Sequence, residues 1–120
     1  MKMRRWLLAP LLLVTATAGI SGGLENSTPS QRAALQNEFM KDHLDLDAAA
    51  MKKVQDINQH YAELSEPVLK GDLGLFEKRT QMKALMASKD QALKAVLDAA
   101  QFDRYESLKD DLKAYLDQKL

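Results

Sequence analysis

The sequence predicts an all-helical protein with four helices in one domain. Between residues 29 and 120, apolar residues recur at steps of three and four, the spacing that places side chains on one face of a helix. No segment shows the alternating pattern of a strand. Thr or Asp stands before three of the helical stretches as an N-cap. With 120 residues and no cysteine, one core packed without disulfides has to stabilise the chain.

The first 18 residues have the layout of a cleaved secretory signal peptide. Residues 1–5 are cationic and residues 6–14 are apolar, and the small side chains of Ala16 and Ala18 suit cleavage after residue 18, with residues 19–21 as an alternative site. A membrane anchor is the competing interpretation, but the apolar stretch contains a proline and is shorter than the ~20 apolar residues of a span. We expect export to the periplasm, with no membrane span left after cleavage.

Cleavage after Ala18 would leave 102 of the 120 residues, enough for one domain but too few for two well-buried cores. It would also remove three of the 17 basic residues, so that 14 basic and 17 acidic residues give a net charge of −3. This balance gives no electrostatic reason to expect a nucleic-acid partner. Residues 19–27 are rich in Gly, Ser and Asn, and we expect a flexible leader there before a single helical domain over residues 28–120.

The first helix is predicted from its N-terminal signals. Thr28 stands at the N-cap, Pro29 at the first helical position and Gln31 at the capping-box position. These signals predict a helix over residues 29–44. One side of it carries Leu35, Phe39, Met40 and His43.

The second helix begins after Asp47, a candidate N-cap. Its apolar face is formed by Met51, Val54, Ile57, Tyr61 and Leu64. Pro67 disfavours helical geometry at the residue before it, and residues 71–74 contain two glycines and an aspartate, which are typical of turns. We therefore expect a break or tight corner between residues 66 and 74, with antiparallel helices on either side.

Two further helices complete the predicted fold. The third spans about residues 75–97, and its apolar set is Leu75, Phe76, Met82, Leu85, Met86, Leu93, Val96 and Leu97. The fourth follows Asp98, where Gln101 completes a capping box. Its apolar face consists of Phe102, Tyr105, Leu108, Leu112, Tyr115 and Leu116. A face of this period is typical of a core, and a polypeptide-binding platform is the alternative interpretation.

Two short segments, residues 46–50 and 97–101, resemble each other. Each has a leucine, an aspartate that can accept from exposed backbone N–H groups, and two small residues at the start of an amphipathic helix. The leucine is placed to pack on the first turn as a hydrophobic staple. The motif and cap residues are Leu46, Asp47, Leu97, Asp98 and Gln101.

With these two helix starts, the export signal and the absence of cysteine, residues 43–116 resemble the Spy/CpxP-like family of periplasmic stress proteins. The family signature is a Leu-Thr-x-x-Gln motif that occurs twice. The second copy here keeps Leu97 and Gln101, with Asp98 in place of the threonine, and the first copy also has Ala50 in place of the glutamine. The resemblance implies an elongated, curved helical hairpin that pairs into a homodimer. It also implies one of three activities: an ATP-independent chaperone, an accessory repressor of envelope-stress sensing, or a metal-linked sensor.

The third predicted helix is rich in basic residues. A solvated helix face is the simple interpretation, and a cationic surface that attracts acidic unfolded chains is the functional one. Because a thin helical protein of ~100 residues cannot bury all its apolar faces, some apolar surface should serve a partner or a second copy. We predict binding of unfolded polypeptides, or of an envelope sensor domain, through Lys78, Arg79, Met82, Lys83, Met86 and Lys89.

Two other functions are kept as hypotheses. A metal-responsive protein could use the ligand-capable residues His43, Asp45, Asp47 and His60, and the thioethers of Met82 and Met86 could hold copper(I). Methionine at helical spacing is also the usual filler of a core. The third hypothesis is a dedicated structural partner of one envelope protein.

An enzyme is not expected. The only histidines are His43 and His60, and neither stands at a spacing that implies the base of a nucleophile. Gly71 and Gly74 lack the following Gly-Lys-Ser/Thr of a phosphate-binding loop and suit a turn instead. We therefore expect no catalytic residues and no cofactor.

Overall fold

The computed structural model of the chain describes residues 23–120 and contains six helices and no strand in that range. The prediction of an all-helical fold is confirmed for these residues, and the predicted signal peptide lies outside them. None of the described helices is both long and apolar enough to cross a membrane. The helices are α1 (Gly23–Asn26), α2 (Pro29–His43), α3 (Ala48–Lys70), α4 (Leu75–Lys94), α5 (Ala99–Ser107) and α6 (Lys109–Lys119).

The three long helices α2, α3 and α4 run antiparallel in succession. Asn37 in the middle of α2 bonds to Asn58 in the middle of α3, at 2.7 Å between Oδ1 and Nδ2. Arg32 near the start of α2 reaches Glu66 near the end of α3. Hydrogen bonds likewise join the end of α3 to the start of α4, and the middle of α3 to the later half of α4. The chain then turns through α5, and α6 packs against α2.

The core lies where the end of α2, the first half of α3 and the end of α4 meet α5 and α6. Met40, Leu44, Val54 and Leu93 are at most 2% exposed. The other members of this buried cluster are Phe39, Leu97, Tyr105 and Leu112. Because the cluster sits at one end of the α3–α4 hairpin, the turn at its other end has no part in it.

The chain reverses direction between α3 and α4 within the predicted interval, but α3 continues through Pro67 to Lys70. A proline in the last turns of a helix disturbs the hydrogen-bond ladder only at that end, so the rest of α3 is unaffected. The last turn is also held by Glu66, whose carboxylate accepts from Arg32 at 2.7 Å and from Lys70 at 2.9 Å. The break therefore follows Lys70, inside the predicted interval and about one turn after the residue before the proline.

Two further differences concern the predicted leader and the last helix. Residues 23–26 form a helical turn. Ser27 is buried, and its carbonyl accepts from Arg32 at 3.0 Å and from Lys70 at 3.1 Å. A flexible leader is therefore the wrong description of residues 23–27.

The predicted fourth helix is divided at Leu108, whose N–H is shared between the carbonyls of Arg104 and Tyr105 at 3.1 Å each. The apolar spacing runs unbroken through this point, which is why the sequence pattern misses the division.

Candidate polypeptide-binding surface

The turn between α3 and α4 exposes a group of large apolar side chains, which we call the hairpin tip. Leu73, Leu75 and Phe76 are 38%, 66% and 80% exposed, respectively. Leu75 and Phe76 belong to the apolar set of the third predicted helix, and the structure places both at the exposed start of α4. α1 lies beside this end of the hairpin, where Lys78 pairs with Glu25 at 3.7 Å, but the three apolar side chains remain exposed.

Two exposed cations follow the hairpin tip on α4. Arg79 lies four residues after Leu75, and Lys83 four residues after Arg79, so the three share one face of the helix. Within residues 23–120 neither cation has a hydrogen-bond or ion-pair partner. Their charge is therefore available to a second molecule.

The other four predicted binding residues face the interior side of α4. Lys78 donates to the carbonyl of Leu69 at 3.0 Å, which helps to end α3. Met82 and Met86 are half-buried and line a cleft beneath α4. Lys89 is 3% exposed, and its ammonium donates to Oε1 of Gln36 on α2. The prediction that Lys89 belongs to an exposed cationic surface is wrong, because this face of α4 closes against α2.

Leu64 also differs from its predicted place. The helical spacing puts it on the buried stripe of the second predicted helix, yet it is 42% exposed. Val68 and Leu69, near the end of the same helix, are buried instead. Near the end of α3, the buried side chains are therefore those of Val68 and Leu69 and not that of Leu64.

The repeated motif forms two capped helix starts that contact each other. Asp47 accepts from the N–H of Ala50 at 2.8 Å. Asp98 accepts from the N–H of Gln101 at 2.7 Å, and the glutamine Oε1 accepts in return from the N–H of Asp98 at 3.0 Å. The Nε2 of Gln101 also donates to the carbonyl of Asp45 at 3.1 Å. The glutamine of the second copy thus ties the start of α5 to the loop before α3.

The leucines of the motif contribute to the core. Leu97 is 7% exposed within the buried cluster, and Leu46 packs against that cluster while remaining partly exposed. Arg104 adds a further tie, since its Nε donates to the carbonyl of His43. An open cavity of about 520 Å³ lies between the two helix starts, with Asp42, Asp98 and other mixed charges in its wall.

The four residues predicted as metal ligands do not form a site. Nδ1 of His43 lies 2.8 Å from the carbonyl of Phe39, and the two rings stack with centroids 4.0 Å apart. Asp47 is engaged as the N-cap of α3, and exposed His60 contacts the ring of Tyr61 edge-on. Residues 23–120 contain no group of three or more His, Cys, Asp or Glu side chains that could hold a metal ion. A shared metal site at these positions is therefore a wrong prediction.

The hairpin tip and the two cations beside it combine the two kinds of contact that an unfolded polypeptide can make. Apolar side chains offer short-range burial, and unpaired cations offer longer-range attraction to acidic segments. In comparisons with known proteins, no family model, no curated protein and no solved structure matches the chain.

Proposed function

We propose that the chain is a periplasmic, ATP-independent polypeptide-binding protein that acts as a chaperone-like or envelope-stress accessory factor. The observation that supports this function is the hairpin tip, where Phe76 is 80% exposed and two unpaired cations follow within two helical turns. Exposed apolar groups beside charges of one sign suit a partner that presents apolar and acidic residues together. An unfolded or partly folded polypeptide presents both.

The mechanism is shallow, reversible binding. Burying a Phe or Leu side chain fully contributes about 1.5–3 kcal/mol, and association opposes this with about 4 kcal/mol or more of lost translational and rotational freedom. One hairpin tip therefore binds weakly and releases its client without an energy source. Arg79 and Lys83 raise the rate of encounter with acidic chains, and salt weakens that contribution.

The proposal includes a homodimer of elongated hairpins, as the resemblance to the Spy/CpxP-like family implies. Two hairpin tips in one assembly would engage one client at two points, and such paired contacts strengthen binding beyond that of either tip. Sedimentation equilibrium over a wide range of protein concentrations tests the dimer directly.

The function is tested by light scattering from a client that aggregates on heating or dilution. The chain from Gly19 onward is added at increasing ratio without ATP, and we expect suppression at a near-stoichiometric ratio that weakens as salt is added. A Leu75→Ser/Phe76→Ser double variant should lose most of the suppression while keeping its melting temperature, because both side chains are exposed. Scattering that stays unchanged at several-fold excess of the chain would contradict the proposal.

The cations are tested by charge reversal with a matched control. Arg79→Glu/Lys83→Glu should weaken suppression of an acidic client and remove its salt dependence. Lys52→Glu/Lys53→Glu changes the net charge equally at exposed positions near the start of α3, far from the hairpin tip, and should have little effect. Equal losses of suppression in both variants would mean that the net charge of the protein, and not the position of these two cations, determines client binding. A single tight interactor in a pull-down would favour a dedicated envelope partner instead.

A further inference from the structure

A cleft runs beneath the inner face of α4, separate from the hairpin tip. Its two cavities, of about 130 and about 200 Å³, are bordered by helices α1 to α6. Both cavities have Gln36, Met86, Lys89 and Leu116 in their walls. Most of the remaining wall is apolar, with Leu69 and Met82 on one side and Leu112 on the other.

Lys89 is the charged group at the junction of the two cavities. It is 3% exposed, and its ammonium donates to Oε1 of Gln36. An ammonium has three N–H donors, and no carboxylate of the described residues lies within ion-pair distance of this one. The neighbouring carboxylate of Asp90 is already engaged, because it accepts from Tyr105 at 2.9 Å and from Lys109.

Arg32 shows how the same fold neutralises another buried cation. Its guanidinium is also in a side chain that is 3% exposed, but it pairs with Glu66 at 2.7 Å. It donates in addition to the carbonyls of Ser27 and Ala62. A buried charge without a counter-ion is unfavourable unless a partner supplies one. Among the described residues, Lys89 therefore lacks a carboxylate counter-ion such as Glu66 provides for Arg32.

We propose that this cleft binds an aliphatic monocarboxylate, with the carboxylate paired to Lys89 and the hydrocarbon chain lying along Met82, Met86 and Leu116. The narrow cavities suit a single unbranched chain better than a ring system or a folded segment. The N-terminal residues 1–22 are a poor substitute, since they are apolar and basic and contain no acidic residue. This ligand site goes beyond the proposed polypeptide binding and does not depend on it.

Calorimetric titration of the purified protein near neutral pH tests the site. Octanoate carries both required groups, octanol has the chain without the charge, and acetate has the charge without the chain. We expect octanoate to bind at least about tenfold more tightly than either control, which corresponds to about 1.4 kcal/mol. Absence of octanoate binding, or equal binding of octanoate and octanol, would overturn the proposal.

Two lysine substitutions on α4 locate the charge. Lys89→Met keeps the length and apolar stem of the side chain and should weaken octanoate binding at least about tenfold, while octanol binding persists and reports an intact cleft. Lys94→Met removes an exposed charge from the same helix and should leave octanoate binding unchanged. Equal effects of the two substitutions would contradict a site at Lys89.

The unsubstituted protein provides a second test that does not depend on how a variant folds. Burial lowers the pKa of Lys89 to about 8, so raising the pH from about 7 to about 9 should weaken octanoate binding about tenfold as the ammonium loses its proton. The other charged or titratable groups around the cleft are Arg32, Tyr61, Asp90, Tyr105, Lys109 and Lys113. Burial raises the pKa of Tyr105. Burial by itself would lower the pKa of Lys109, but hydrogen bonds to Asp90 and Glu106 outweigh it and raise that pKa. Affinity that does not change over this range would contradict the assignment.

Discussion

Lys89 gives the folded state a dependence on alkaline pH. Its pKa is about 8 in the folded chain, where burial disfavours the charged form, against an ordinary value of 10.5. Between these two values the unfolded chain binds more protons than the folded chain, so the stability of the fold rises with pH in this window. At neutral pH the lysine is charged in both states, and its burial opposes folding.

We therefore expect Lys89→Met to be more stable than the unsubstituted protein near neutral pH. The gain should be on the order of 2 kcal/mol, because a pKa difference of one unit corresponds to about 1.4 kcal/mol and the bond to Gln36 is lost. The gain should shrink as the pH approaches 10.5, the ordinary pKa of the lysine. Urea unfolding at a series of pH values measures the gain in the free energy of unfolding. A gain that is the same at every pH would show that Lys89 reaches water in the folded chain.

Glu66 gives the fold a dependence on acidic pH. Hydrogen bonds from Arg32 and then Lys70 lower its pKa from an ordinary 4.5. A lowered pKa contributes stability above the unfolded value, and this contribution is lost as the pH falls through the folded value. We expect Glu66→Gln to lower the melting temperature at neutral pH and to have little effect in strong acid.

A neighbouring carboxylate on the same helix serves as the control. Glu63 is exposed, and among residues 23–120 its carboxylate accepts only from Gln59, at 2.9 Å. Glu63→Gln should therefore change the melting temperature less than Glu66→Gln does at neutral pH. Equal shifts in the two variants would mean that the buried Arg32 does not depend on its carboxylate partner.

At the scale of the elements, the turn between α3 and α4 contains two glycines with different surroundings. A Cβ atom at Gly71 would lie 2.6 Å from the carbonyl oxygen of Pro67, whereas one at Gly74 would have nothing within 4 Å. Contact with a backbone atom can be relieved only by moving the chain. We expect Gly71→Ala to destabilise the fold by about 1–3 kcal/mol and Gly74→Ala to change stability by less than about 1 kcal/mol.

Denaturant unfolding of the two alanine variants compares them under identical conditions. The same substitution is made twice within four residues, so differences in composition and net charge cancel. A similar loss in both variants would indicate that the turn depends on backbone freedom at both positions. A loss confined to Gly71 would assign the constraint to the Pro67 carbonyl.

The elements also show which features a sequence can predict. The caps at Thr28, Asp47 and Asp98 depend on residues three positions away, and all three are found at helix starts in the structure. The exposure of Phe76 and the burial of Lys89 depend on which helices cover each end of α4. Helical spacing alone cannot supply that information, because the apolar and basic residues of α4 keep their period along its whole length.

At the scale of the whole molecule, the one-sided core predicts unequal local stability along the hairpin. Leu93 and Val54 are fully buried at one end, whereas Leu75 and Phe76 are exposed at the other. Local opening requires less free energy where fewer apolar contacts are broken. We expect backbone amides in the first two turns of α4 to exchange hydrogen much faster than those around Leu93.

Native-state hydrogen exchange followed by mass spectrometry measures this difference between peptides of one protein. Peptides around Val54 on α3 provide the slowly exchanging reference at the same end as Leu93. Uniform protection along α4 would contradict the expectation and would show that another surface covers the hairpin tip in solution. The same experiment at low and high protein concentration would reveal whether that surface is a second copy of the chain.

The position of the hairpin tip separates two kinds of evolutionary constraint. Leu75 lies 18 residues before Leu93, which corresponds to about 27 Å along a helix. Substitutions near Leu93 are restricted by folding, because they would leave cavities or buried polar groups in the core. Substitutions at the exposed tip should change stability little, so the chemistry of this surface can vary while the scaffold stays the same.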